Sequence, residues 1–383
     1  MGASRIKTLF PIPRLLAGAD LFAGPRSLMA LRGLGSSRTL LLTGTSLQPE
    51  LRAEIKKMLL AESILETSRT GTAEPDWHAV HDIMACLRGT TPDLIVAVGG
   101  GSILDLAKLV LLKLAWPEAG HGDLARPFAA PPLKHHIRMC AIPTTAGSGA
   151  EISSSALVMD PASPSKTAII THDFIYDVVL LDPRFLLGIP RPVMLASIID
   201  AITHAVEGTL SNVDHPLADT LAETSLERLG RLGKQWLSDE TDTSTILQLQ
   251  FAAHQAGMVQ NHCGVGICHS LAHQLARFGI GHGEANGVFL PEVLKFNGRD
   301  PKVAQRLKHL ESRVGFSIVE RVHELRQAGG LAETIHHLWP RMRGHGSDPN
   351  PETLARDALA DICTRFNPCP VAMPQLASFF PRV

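Results

Sequence analysis

Short, unbroken apolar runs alternate with amphipathic stretches through the first half of the chain. Thr39–Thr43 (TLLLT) and Asp93–Val98 (DLIVAV) have strand length and no polar alternation, as strands covered on both faces do. Each precedes a stretch whose apolar positions recur three or four apart, Glu50–Leu60 and Ser102–Leu114, which places one stripe on a helix. Arg138–Ile142 (RMCAI) predicts another strand, and Ala156–Leu181 a further pairing of strands. Strand and helix in alternation predict a parallel, doubly wound sheet. Residues 117–136, rich in Pro, Gly and Ala, predict a surface excursion.

After Ile189-Pro190-Arg191-Pro192 the period lengthens to about 3.6 residues. Helices are predicted over Val193–Thr209, His215–Leu237, Thr245–Gln260 and Ile267–Phe278, with loops at Ser238–Thr245 and Pro340–Pro351. The expected organisation is therefore an α/β dinucleotide-binding domain over residues 1–190 and an all-helical domain over 191–383. Ligands are expected at the carboxyl ends of the strands, in the cleft between the halves.

Composition narrows the function classes. With 383 residues, 45% of them hydrophobic, the chain has material for two cores. Thirty-six basic against thirty-seven acidic residues leave a net charge of -1, and no long basic run supplies the footprint that nucleic acid needs. Leu104–Trp116, the best candidate for a membrane span, is broken by Lys108 and Lys113. The six cysteines form no CxxC pair, which fits reduced thiols and an expected cytoplasmic location.

Two glycine-rich loops carry the first chemistry. Gly99-Gly100-Gly101-Ser102 follows an apolar strand and opens a helix, so its amides and the positive helix end converge where a pyrophosphate fits. A tight strand-to-helix turn that needs glycine gives the same pattern. Pro143-Thr144-Thr145-Ala146-Gly147-Ser148-Gly149 also follows a strand, and two such loops on one sheet favour a dinucleotide. The turn Thr43-Gly44-Thr45-Ser46 has only glycine and hydroxyls where a carboxylate often holds the adenosine ribose and repels a 2′-phosphate. NADP therefore stays open beside NAD.

Asp200 and His204 lie four apart in a helical run, as do His269 and His273, and His282 follows between glycines. The i, i+4 spacing brings each pair together on one helix face. One carboxylate and three imidazoles suit a divalent first-row ion with room for a substrate oxygen. Solvated helix faces produce such pairs too, and it is their joint occurrence after two phosphate-type loops that points to a site. Cys268 falls on another helical face and reads as packing, and His254 and His262 read as surface or satisfied core residues.

These residues resemble the iron-containing, or group III metal-dependent, alcohol dehydrogenase family. The motifs are GGGSILDLAK (Gly99–Lys108), PTTAGSGAE (Pro143–Glu151), DAITHAVE (Asp200–Glu207) and GICHSLAHQLARFGIGHGEANG (Gly266–Gly287), in the family's order and spacing. The resemblance implies the dehydroquinate synthase-like fold, a cleft holding Fe2+ or Zn2+, and a homodimer or larger assembly. It implies Asp200, His204, His269 and His282 as metal ligands and His273 as the proton relay. It implies Gly100, Gly101, Ser102, Asp105, Thr144, Thr145, Ser148 and Lys166 as coenzyme contacts, joined by Gly44 and Ser46 from the first turn. Ser155, Gln260, Val265 and Cys363 match variable substrate-pocket positions. Two departures are Gly44, where many NAD-specific members carry an acid, and Cys369, where arginine commonly follows Asn-Pro.

The expected activity is NAD(P)-linked oxidation of a small alcohol or reduction of an aldehyde, with the metal as Lewis acid. Members acting on polyols, maleylacetate or phosphonoacetaldehyde share the scaffold, as does the lyase dehydroquinate synthase. A nucleotide-binding module without catalysis is the alternative from another class.

Overall fold

The computed structural model describes residues 10–19, 21, 37–59, 61–69, 74–118, 133, 136–159, 166–345 and 348–381. Its first half contains strands β1 (Arg14–Ala17), β2 (Arg38–Gly44), β3 (Ser63–Arg69), β4 (Leu94–Gly99), β5 (Arg138–Pro143), β6 (Ser155–Met159), β7 (Lys166–Ile170) and β8 (Val178–Leu181). Six of them form one parallel sheet in the order β1-β8-β5-β4-β2-β3, while β6 and β7 make a separate antiparallel hairpin. Helices α1 (Pro49–Leu59), α2 (Trp77–Leu87) and α3 (Gly101–Ala115) cross between strands.

Alternation along the strands sorts their side chains into two cores. Leu40, Leu42, Ile95, Ala97, Met139 and Ala141 pack against α2 and α3. Leu41, Val96, Val98, Cys140 and Ile142 point the other way and share one continuous core with the helical half. That is why the strand sequences read as apolar without a break.

The second half consists of α4 (Arg191–Leu210), α5 (Pro216–Ser238), α6 (Thr243–Cys263), α7 (Ile267–Leu275), α8 (His282–Asn297), α9 (Pro301–Val314), α10 (Ile318–Gly329), α11 (Ile335–Arg343), α12 (Pro351–Ala360) and the short α13 (Met373–Ala377). The central helix is α4, enclosed by α5, α6, α8 and α10. It is long and apolar enough to cross a membrane by composition alone, but 83% of its most apolar window is buried inside the protein.

Several elements depart from expectation. The unit β3–α2 has no counterpart in the sequence reading, because β3 is an edge strand whose residues are mostly half-buried, so its pattern is weak. Of the strands expected within 156–181, two pair as the hairpin and the third, β8, joins the main sheet. Pro340 belongs to α11 and not to a loop. It removes the amide that would bond the His336 carbonyl, but both residues are exposed, and the helix stops three residues later. The final helical turn before Phe278 tightens to 3-10 geometry over Ala276–Phe278 and ends at Gly279, with φ +68°. Most of the excursion expected over 117–136 lies outside the described residues.

Candidate active site

The two glycine-rich loops leave the carboxyl ends of the neighbouring central strands β4 and β5. Gly100 caps α3, and the Thr144 amide donates to the Gly99 carbonyl at 3.0 Å. A Cβ on Gly101 would lie 2.9 Å from the Ser148 Cβ, and one on Gly100 would lie 3.4 Å from Thr145. At Gly101 only glycine lets the loops approach this closely, whereas a Cβ on Gly100 would make an ordinary contact. That cradle fits a pyrophosphate. The second loop also seats on the helical half, since a Cβ on Gly147 would lie 2.5 Å from the Ser197 carbonyl oxygen.

The other expected coenzyme contacts are more dispersed. Gly44 closes β2 in register with Arg69, and among the described residues a Cβ there would meet only Ser46 Oγ, at 3.8 Å. Lys166 opens β7 and pairs with Glu74 at 2.9 Å, and its charge reaches both Asp105 and His282. Asp105 faces inward, accepting from the Leu157 amide at 3.1 Å and from Lys108 at 3.4 Å. Lys108 is fully buried and reaches the carbonyls of Ser153 (3.1 Å) and Ser155 (2.6 Å), tying α3 to the hairpin.

Of the four expected metal ligands, Asp200, His269 and His282 bring one ligand atom each within 4.8 Å of one another, and His204 lies outside that group, near Asp200 and stacked on His269. Asp200 and His204 share one face of α4, His269 comes from α7, and His282 is the first residue of α8. Asp200 Oδ1 lies 3.8 Å from His204 Nε2, 3.6 Å from His269 Nε2 and 3.5 Å from His282 Nε2. Ligand atoms about 2.1 Å from a tetrahedral ion stand roughly 3.4 Å apart, so Asp200, His269 and His282 are spaced as in a slightly opened coordination sphere, with His204 further out. Three nitrogens and one carboxylate oxygen also suit Fe2+ or Zn2+ chemically.

The electrostatics agree. Burial opposes ionisation of Asp200, but the imidazoles of His204, His282 and His269 outweigh it and hold the carboxyl far below its usual range. Burial brings His204 down to about 4 and His282 well below an ordinary histidine, so both rings are neutral donors at pH 7. Burial acts the same way on His269, but hydrogen bonds that it donates to the Asp200 and Glu207 carboxylates prevail and raise it to about 9. A cation at the centre supplies the positive charge that these two carboxylates otherwise draw from a proton.

Around the ligands lies a shell that the sequence reading did not assign. Glu207 Oε2 is 2.7 Å from His269 Nδ1, while its other oxygen accepts the Cys268 amide at 2.8 Å. Asn286 donates to Asp200 Oδ1 at 2.7 Å and lies 3.3 Å from Nε2 of both His269 and His282. Glu207 is seven residues from Asp200 and Asn286 four from His282, so helical spacing alone signals them. Cys268 turns away from the centre, its sulfur toward the Asn286 carbonyl at 3.5 Å.

His273 stacks on His282 with centroids 5.1 Å apart and planes at 18°. Its Nδ1 lies 2.8 Å from Asp361 Oδ2, and Asp361 Oδ1 accepts the Cys363 amide at 2.9 Å. Burial opposes ionisation of Asp361, but His273 and the Cys363 amide hold its carboxyl below the usual range. The sequence gives no signal for this pair, whose members lie 88 residues apart.

The expected substrate-pocket residues are only partly gathered. Cys363 is buried beside His273 and Asp361. Gln260 faces the second loop, 3.6 Å from where a Gly149 Cβ would lie, and its Oε1 is buried without a partner among the described residues. Val265 is buried in the link between α6 and α7. Ser155 stands at the start of β6, in the Lys108 knot.

Comparison with known proteins places the whole chain in one family. The family model for iron-containing alcohol dehydrogenase matches residues 21–183, and that for the C-terminal part of the Fe-containing alcohol dehydrogenase family matches 194–380. An NADPH-dependent butanol dehydrogenase of Clostridium saccharobutylicum is 27% identical over 97% of this chain and 96% of its own length. A probable alcohol dehydrogenase of Salmonella typhimurium, EutG, is 30% identical over 78% of this chain and 74% of its own. The solved iron-containing alcohol dehydrogenase of Thermococcus thioreducens superposes with a TM-score of 0.81 at 25% identity, covering 97% of this chain and 98% of that one.

Proposed function

Because the chain belongs to the iron-containing alcohol dehydrogenase family, we propose that it interconverts a small primary alcohol and its aldehyde with NADPH as the favoured coenzyme. The convergence of Asp200, His204, His269 and His282 within 3.5–3.8 Å of one carboxylate oxygen is the observation that carries this reading. Asp200, His204, His269 and His282 would hold a divalent ion, which would supply Lewis acidity, and the two glycine-rich loops would hold a nicotinamide coenzyme, which would supply hydride chemistry.

The chain's own residues supply positioning and proton movement. Gly100, Gly101 and Ser102 present the amides of the α3 N-terminus to the coenzyme phosphates, with Thr144, Thr145 and Ser148 on the adjoining loop. Lys166 places a buried positive charge near the same centre. His273, stacked on His282, holds and moves the proton that accompanies hydride transfer. The coenzyme preference rests on Gly44, which puts no carboxylate at the end of β2 and stands opposite Arg69, and on the NADPH dependence named for the Clostridium relative. Nicotinamide absorbance followed with butanal tests the reading: consumption of NADPH ahead of NADH is expected, and no consumption of either contradicts it.

A further inference from the structure

We infer that Asp361 is a positioning residue of the reaction, fixing His273 in the tautomer that carries its proton on Nδ1 and turns an unprotonated Nε2 to the cleft. This rests on the reading of His273 as the proton relay. Asp361 precedes the 3-10 turn Ile362–Phe366, so the C-terminal segment supplies the residue.

Both oxygens of Asp361 are committed. Oδ1 accepts the Cys363 amide at 2.9 Å, which fixes the carboxylate plane, and Oδ2 lies 2.8 Å from His273 Nδ1. The side chains are 5% and 6% exposed, so little water competes for the bond. A carboxylate can only accept, which leaves Nδ1 as the donor. The bond to Asp361 is made through Nδ1, and Nε2 has no hydrogen-bond partner among the described residues. Stacking on His282 locks the ring plane from the third side.

The consequence for the chemistry is direct. In the oxidation direction the substrate hydroxyl proton passes to Nε2 as the hydride leaves the carbinol carbon for the coenzyme. The resulting imidazolium keeps its Nδ1 proton against Asp361. In the reduction direction Nε2 returns that proton to the carbonyl oxygen as the hydride arrives at carbon. With the opposite tautomer, Nε2 already bears a proton and cannot accept another.

Asp361→Asn is the informative change. The Cys363 amide needs an acceptor, so the asparagine oxygen stays on it and the NH2 turns to His273, forcing the proton to Nε2. The expected result with NADPH and butanal is a fall in kcat of about 10²–10⁴-fold, with KM, coenzyme affinity and metal content kept. In a His273→Ala background the same change should cost nothing further. An equal loss in both backgrounds, or no loss in the wild-type background, overturns the proposal. Selective 15N-histidine spectra test it without turnover: the His273 signal must show Nδ1–H in the wild type, and Nε2–H there refutes the idea even if Asp361→Asn fails to fold. Full activity of His273→Ala would instead refute the relay reading, leaving the spectrum to decide the tautomer.

Discussion

Gly149 and Gly257 meet backbone to backbone across the two halves of the protein. A Cβ on Gly149 would lie 2.6 Å from the Gly257 Cα, and one on Gly257 would lie 2.7 Å from the Gly149 Cα. Beside them, Glu151 of the same loop bonds His254 of α6 at 3.1 Å, with both side chains buried. The loop that abuts Gly101 on one side is thus fixed to the helical half on the other.

Substitution at that contact should therefore loosen the join between the proposed coenzyme and metal sites. Gly257→Ala inserts a methyl into backbone and should cost about 1–3 kcal/mol. Gly149 also has φ +61°, so Gly149→Ala adds the left-handed strain, about 1 kcal/mol more. Gly188→Ala, at φ +76° with no described residue within 4 Å of the new Cβ, supplies the strain alone. Thermal melts should rank the losses Gly149, Gly257, Gly188, and a Gly188 variant as damaged as Gly149 contradicts the contact argument.

The Glu207 carboxylate orients His269 and accepts two amides at the start of α7, those of Cys268 and His269. Glu207→Gln leaves a single acceptor oxygen for this work. Metal affinity, measured by competition with a chromophoric chelator, should fall about 10–100-fold, and activity should recover at saturating metal. Unchanged affinity would mean that Glu207 holds only the helix terminus.

Asp93 links the β2 and β4 edges through Arg38 and Ser37, and the hydrogen bond from the Arg38 guanidinium holds its carboxyl below the usual value. The folded group ionises at lower pH than the unfolded one. Its stabilisation is therefore complete above about pH 4 and disappears as pH falls through the folded value. Asp93→Asn should melt below the wild type at pH 7, with the gap narrowing on acidification below pH 4. A gap that stays constant down to pH 3 contradicts the linkage.

Among the described residues Gly44 has room for a side chain, since a Cβ there meets none of them closer than 3.8 Å. A carboxylate at this strand end repels a 2′-phosphate and accepts from a ribose hydroxyl. Gly44→Asp should lower kcat/KM for NADPH about 10–100-fold relative to NADH, as expected for one unfavourable charge contact of about 1.4–2.8 kcal/mol. An unaltered coenzyme ratio would place discrimination elsewhere.

Legibility in the sequence followed the strength of local pattern. The central strands β2, β4 and β5 are buried on both faces and read as continuous apolar runs, whereas β3, half-exposed at an edge, did not register. The candidate metal ligands were visible because Asp200 and His204 lie four apart on one helix, with His269 and His282 in a single motif. Asp361 was invisible, since only tertiary folding brings it to His273 from 88 residues away. His254 looked like a surface or satisfied core residue, and it proves to be buried against Glu151. Asp105 illustrates the limit of motif reading, because its oxygens are already engaged by Lys108 and the Leu157 amide.

The central claim is that Asp200, His204, His269 and His282 hold a divalent ion required for nicotinamide-linked turnover. The decisive measurement is NADPH oxidation with butanal on protein stripped by a chelator and then titrated with Fe2+ or Zn2+. Activity should vanish on stripping and return in proportion to bound metal, reaching its limit at one ion per chain, and His269→Ala should neither bind the ion tightly nor recover. Full activity in the stripped protein, or restoration of turnover in His269→Ala equal to the wild type, would contradict the account.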